Sequence, residues 1–204
     1  MHIHDVAHTN IQQAIQMISH LPDDIYTRTS IVMPCSTIGK HVRHSYDHFI
    51  QLVKQARNQD WTIDFDARVR HTPMEVDRTQ AIQQLRHLEK TLYDVRDIPL
   101  EYPVTLSASI DPNDPTHYPF ASSFGRELWY CVIHAIHHFA SIKAICIEAG
   151  HELPADFGVA PSTILDRKLD DGMCVISWMK GCVVLAAIKI PAGFDKEGPE
   201  WPWE

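Results

Sequence analysis

Three pairs of histidines stand four residues apart in this sequence: His4 with His8, His44 with His48, and His134 with His138. With 14 histidines in 204 residues, chance gives about one such pair, so three is a modest excess. On a helix, residues i and i+4 share a face, and two imidazoles placed that way can converge on one ion. Imidazole titrates near neutral pH and is the commonest metal ligand. Protonating all 14 would carry the formal charge from −8 to +6. The chemistry on offer is therefore metal coordination or, more plainly, hydrogen bonding between satisfied core histidines.

Other chemistries are excluded by what the spacing lacks. The segment His134-Ala135-Ile136-His137-His138 has no glutamate directly after its first histidine, which a zincin-type metalloprotease requires. No GxSxG elbow, P-loop or GxGxxG run is present, so serine hydrolase and nucleotide-binding readings drop out. Five cysteines, Cys35, Cys131, Cys146, Cys174 and Cys182, are an odd count without a Cys-x-x-Cys pair, which argues against a disulfide framework or a zinc ribbon. Cys131, one turn before His134, reads as a buried apolar cysteine. A net charge of −8 removes the electrostatic engine of nucleic-acid binding. Neither a signal-peptide pattern nor a run of about 18 apolar residues is found, so a cytoplasmic protein without a membrane partner is expected.

The elements that must position these histidines read as four helices. Apolar periodicity predicts them over about Asn10 to Leu21, Ile38 to Arg57, Pro73 to Val95, and Ser123 to Ala149. Ser36 or Thr37 suits the start of the second, Pro73 that of the third, and Gly150 the end of the fourth. Five prolines between Pro99 and Pro119 exclude a helix there, although Val104 to Ile110 alternates enough for a short strand. The length suits one domain over 1–204, with a bundle over about 8–167 and a C-terminal extension over about 168–204. The fold class expected is all-α, a four-helix bundle with a short β element in its connections or in that extension.

His134 and His138 lie on the stripe of Cys131, Ile142 and Ile145, where a bundle core would face them. A third ligand would come from the second helix, which offers His41, His44 and His48. On a helical wheel His41 and His48 sit nearer the apolar face and His44 farther round. His48 reads as a surface residue, and His4 and His8 as a chance pair at a frayed terminus. Asp64, Asp66, Arg68 and Arg70 form an alternating charge cluster, which reads as a loop ion-pair network or as a seat for an anionic substrate.

Several segments resemble the DinB/YfiT-like superfamily in an uncharacterised bacterial subgroup. They are Thr37-Ile38-Gly39-Lys40-His41-Val42-Arg43-His44-Ser45-Tyr46-Asp47-His48, Phe124-Gly125-Arg126-Glu127-Leu128 running on to His134, His137 and His138, and Leu153 to Thr163. Asp64 to Arg70 with Glu75 is similar as well. The resemblance implies a four-helix bundle holding a divalent metal on His44, His134 and His138, with zinc or nickel as the first choice and iron or manganese as alternatives. His41, Asp47, Arg126 and His137 become pocket residues that orient ligands or substrate. It further implies a metal-dependent enzyme with hydrolase- or thiol-transferase-like chemistry on an unidentified small molecule. The alternative is a non-catalytic, metal-stabilised stress or small-molecule-binding protein. The apolar residues from Met173 to Ile190 and the pair Trp201 and Trp203 suggest a covered face, and hence a homodimer.

Overall fold

The computed structural model describes residues 2–67 and 69–170. The first compact unit, residues 1–160, is built on helices α1 (Ile3–His20), α2 (Asp23–Thr27), α3 (Ile38–Arg57), α4 (Arg78–Asp94) and α5 (Phe124–Glu148). A 3-10 turn over Pro73–Glu75 precedes α4, and strands β1 (Thr62–Asp64), β2 (Pro103–Ser109) and β3 (His117–Ser123) complete it. The described part of the second unit is helix α6 (Pro161–Asp170). The sequence expectations for Met173 to Ile190, Trp201 and Trp203 lie outside the described residues.

The four long helices pack in a ring: α1 touches α4 and α5, and α3 touches α4 and α5. The ring encloses Ile11 and Ile18 from α1, Val42, Phe49 and Leu52 from α3, Leu85 and Leu88 from α4, and Leu128, Val132 and Ile142 from α5. Each such side chain contributes about 1.5–3 kcal/mol when fully buried, which makes this shared core the main source of helix stability. Helix α5 is the one described helix long and apolar enough to span a membrane by length and composition, but Phe124, Leu128, Val132, Phe139, Ile142 and Ile145 are buried in the core, while Trp129 and Ile147 are exposed.

Helix starts follow local capping. Thr37 Oγ1 accepts from the Lys40 N–H at 3.1 Å, Asp77 Oδ1 from the Thr79 and Gln80 N–H groups, and Ser123 Oγ from the Arg126 N–H. Each bond satisfies a donor that the first helical turn leaves open. The N-terminal helix begins at Ile3 rather than near Asn10, because His2 and Asp5 form a reciprocal capping box. Pro73–Glu75 closes as a separate turn, so the third long helix starts five residues later than Pro73.

Strand β1 runs parallel to β2 and β2 antiparallel to β3, with Ile63 opposite Leu106 and Leu106 opposite Phe120. Pro119 is tolerated because β3 is an edge strand. Gly39 has a packing reason: a Cβ there would stand 2.0 Å from the Glu75 carbonyl oxygen. The absent side chain lets the Pro73–Glu75 turn close onto α3.

Candidate metal centre

Helices α3 and α5 meet on the faces that carry the histidines. Nε2 of His134 lies 3.1 Å from Nε2 of His44 and 3.2 Å from Nε2 of His138. The ligand atoms of these three residues all fall within 4.8 Å of one another. An ion bonded to imidazole nitrogens at about 2.0–2.1 Å spaces them about 3.4 Å apart in a tetrahedron and about 3.0 Å at adjacent octahedral positions. The donor spacing and donor type therefore fit a divalent transition metal such as zinc or nickel, for which imidazole is a suitable ligand.

Electrostatics favour the ligating form. Burial, reinforced by the rings of His134, His44, His41 and His137, pushes the His138 pKa down to about 2. A histidine must be uncharged to bind metal, and desolvation removes the competing proton well below neutral pH. His41 is likewise held low, first by burial and then by His137.

Of the three histidines on α3, His44 places its Nε2 beside that of His134. His41, 7% exposed, turns the other way: its Nδ1 is 2.7 Å from Nδ1 of His138 and its Nε2 is 2.8 Å from Ser36 Oγ. His48 is 5% exposed, which corrects its reading as a surface residue. It donates from Nδ1 to the His44 carbonyl at 3.0 Å and stacks between His134 and Phe65, with ring centroids 4.0 and 5.1 Å away. Phe65, just past β1, covers it, and no periodicity within the helix announces that contact.

The remaining candidate residues scatter. Asp47 joins a buried network in which Arg43 donates to Asp47 Oδ2 at 2.9 Å and to Glu75 Oε1 at 3.1 Å. Arg126 pairs with the fully buried Glu127 and lies over the Tyr130 ring, 5.5 Å from its centroid. Tyr130 in turn flanks His134 at 5.5 Å. His137 is exposed, with its ring edge-on to His138 at 5.7 Å. Cys131 is buried, and desolvation raises its thiol well above the ordinary range.

Of the charge cluster, the two aspartates act as a backbone brace, whereas Arg68 lies outside the described residues. Asp64 Oδ1 accepts from the Asp66 and Ala67 N–H groups, and Asp66 Oδ2 from the Ser109 N–H. With His117 of β3, these carboxylates form a second, more exposed group of metal-type donors, and sequence spacing gave no sign that His117 would join them. His4 and His8 are not frayed, since both lie on α1, and His4 is 3% exposed.

The class of protein defined by this geometry is a helical domain with a three-imidazole cluster between two core helices. No family model and no solved structure matches the chain. It is 52% identical over 102 residues to FK506-binding protein 5 of Rhizopus delemar, an alignment covering 50% of this chain and 26% of that protein. The chain thus spans about a quarter of the length of its curated relative. That relationship overturns the resemblance to the DinB/YfiT-like superfamily. With it fall the metal-dependent hydrolase or thiol-transferase activity, and the description as a metalloenzyme four-helix bundle of that kind.

Proposed function

We propose that this chain is a divalent-metal-binding module, with His44, His134 and His138 as ligands and zinc or nickel as the ion. The observation that carries the reading is the convergence of three Nε2 atoms from two helices at spacings of 3.1 and 3.2 Å. An ion held this way supplies a Lewis-acidic centre with coordination positions left to other ligands. The protein's part is to hold three neutral imidazoles at fixed spacing, which the low pKa of His138 and the stack of His48 on His134 favour. A reducing, cytoplasmic setting suits the free thiols Cys35, Cys131 and Cys146.

Isothermal titration of metal-stripped protein with zinc and with nickel tests it. The expected result is one ion per chain, with affinity lowered at least a hundredfold in His134→Ala and in His44→Ala. Undetectable binding by the native chain, or unchanged affinity in both variants, refutes the reading.

A second reading follows from the relative, which is named for binding FK506 and shares half of this chain's length at 52% identity. Under it, the macrolide seats on this chain itself. Titration with FK506 separates the two cases. Saturable binding supports that function for this chain, and its absence refutes the second reading.

A further inference from the structure

The ring nitrogens of His138 are engaged on both sides, and the far side leads out of the cluster. Its Nδ1 faces Nδ1 of His41 at 2.7 Å, and Nε2 of His41 faces Ser36 Oγ at 2.8 Å. Two acceptor nitrogens or two donor N–H groups at that separation would repel, so one proton must lie between the imidazoles. If Nε2 of His138 is given to an ion, the neutral ring carries its proton on Nδ1 and donates it to His41. His41 must then carry its own proton on Nε2 and donate it to Ser36. A serine hydroxyl can end such a chain because it accepts as readily as it donates.

Ser36 is itself fixed by a short strap, residues 30–36, and the strap is tied to α5. The Glu148 carboxylate accepts from Ser30 Oγ at 2.7 Å, from the Ile31 N–H at 2.8 Å and from the Val32 N–H at 3.3 Å. Ser30 N–H donates to the Ser36 carbonyl, and Ser36 N–H donates to the Met33 carbonyl, both at 3.0 Å. Lys40 Nζ donates to the Cys35 carbonyl at 2.7 Å. Cys35 adopts φ +64°, a conformation uncommon outside glycine, which turns the chain back toward α3. Helix α5 therefore carries two of the clustered imidazoles and, through Glu148, also anchors the residue that orients one of them.

We propose that Ser36 and His41 are positioning residues that fix the tautomer and ring angle of His138, and that the Glu148-pinned strap holds Ser36 in place for this. The proposal rests on the metal reading above and deepens it. Partners behind a metal-bound histidine typically contribute tenfold to a hundredfold in affinity by orienting the ring.

The test compares the native 204-residue chain with Ser36→Ala, Ser36→Thr, His41→Phe, Glu148→Gln and His134→Ala. Each is checked for native circular dichroism, then titrated with zinc and with cobalt(II), whose visible absorption reports ligand geometry. The expected result is about a tenfold to hundredfold loss of affinity in Ser36→Ala and His41→Phe, with a shifted cobalt spectrum. Ser36→Thr restores both, because it keeps the hydroxyl, and Glu148→Gln shows a smaller shift of the same kind. In the zinc form, proton NMR should show a protected His41 Nε2–H that exchanges rapidly with water in Ser36→Ala. Native affinity and spectrum in Ser36→Ala and His41→Phe, with binding lost only in His134→Ala, overturns the positioning role and leaves the metal reading intact. Failure of the native chain to bind either ion overturns both.

Discussion

Replacing Gly39 by alanine sets two effects of one methyl group against each other. Gly39 lies in the first turn of α3, where alanine is the better helix former by about 1 kcal/mol. That gain applies only where the new Cβ meets open space. Here it would stand 2.0 Å from the Glu75 carbonyl oxygen, 2.7 Å from the Glu75 carbonyl carbon and 2.9 Å from Cε1 of Tyr26. The first two are backbone atoms, so no rotamer change relieves the clash, and either α3 or the Pro73–Glu75 turn must move. Movement of the turn strains the Tyr26 hydroxyl bond to the Met74 carbonyl, 2.6 Å, and the Arg43–Glu75 bond, 3.1 Å. Overpacking of this kind costs about 1–3 kcal/mol and sometimes more. With a backbone clash this short, the top of that range applies, and the helix gain reduces the net loss to about 2 kcal/mol. For a chain of this size that corresponds to a fall of about 4–8 °C in Tm. Thermal and urea unfolding followed by circular dichroism measure it. Gly150→Ala serves as a contrast, because Gly150 has φ +72° with nothing within 4 Å of a built Cβ and bears only the backbone cost, about 1–2 kcal/mol. A Gly39→Ala protein as stable as the native chain, or more stable, would refute the close-approach argument.

Three further outcomes are expected. His4 is buried with both ring nitrogens lacking a partner among the described residues, and burial lowers its pKa below 6.5. The folded state therefore binds fewer protons than the unfolded chain, so stability from this site is present above pH 6.5 and is lost as pH falls below it. His4→Phe should gain about 1 kcal/mol at pH 8 and more at pH 5.5; a difference independent of pH in urea titrations counts against this account. Zinc at about a hundredfold excess over its Kd should raise the unfolding free energy by about 2.7 kcal/mol in the native chain and by at most about 0.4 kcal/mol in His44→Ala, as read by thermal melts with and without chelator. Iodoacetamide should modify Cys35 before Cys131 or Cys146. The first is exposed, whereas burial raises the Cys146 thiol to about 11 and holds the Cys131 thiol well above its ordinary value; peptide mapping that found Cys131 labelled first would contradict that burial.

The parts of the molecule legible in the sequence are those whose signal is local and periodic. Helix α3 repeats its apolar residues from Val42 to Val53, and His134 and His138 share a face because they are one turn apart. Where contacts join distant segments, periodicity says nothing. Phe65 buries His48 from beyond β1, and His117 meets Asp64 across a three-stranded sheet. Strand β3 carries no alternation because most of its residues are exposed. Ser36 reaches His138 only by way of His41, and the Glu148 anchor of its strap is more than a hundred residues away. The start of α1 carries no strong local signal, because histidine is an unusual N-cap, effective here through the reciprocal bond with Asp5.

The division of the cluster between helices has a kinetic consequence. Two of its three imidazoles lie one turn apart on α5, and the third comes from α3. A chelating pair on a single helix survives any local opening that separates the helices, whereas the third contact does not. Were an ion bound, opening of α3 from α5 would withdraw His44 alone and leave His134 and His138 to hold it. The release rate would follow how often α3 opens from α5, so a substitution deep in that helix interface could change ion residence time without touching a ligand.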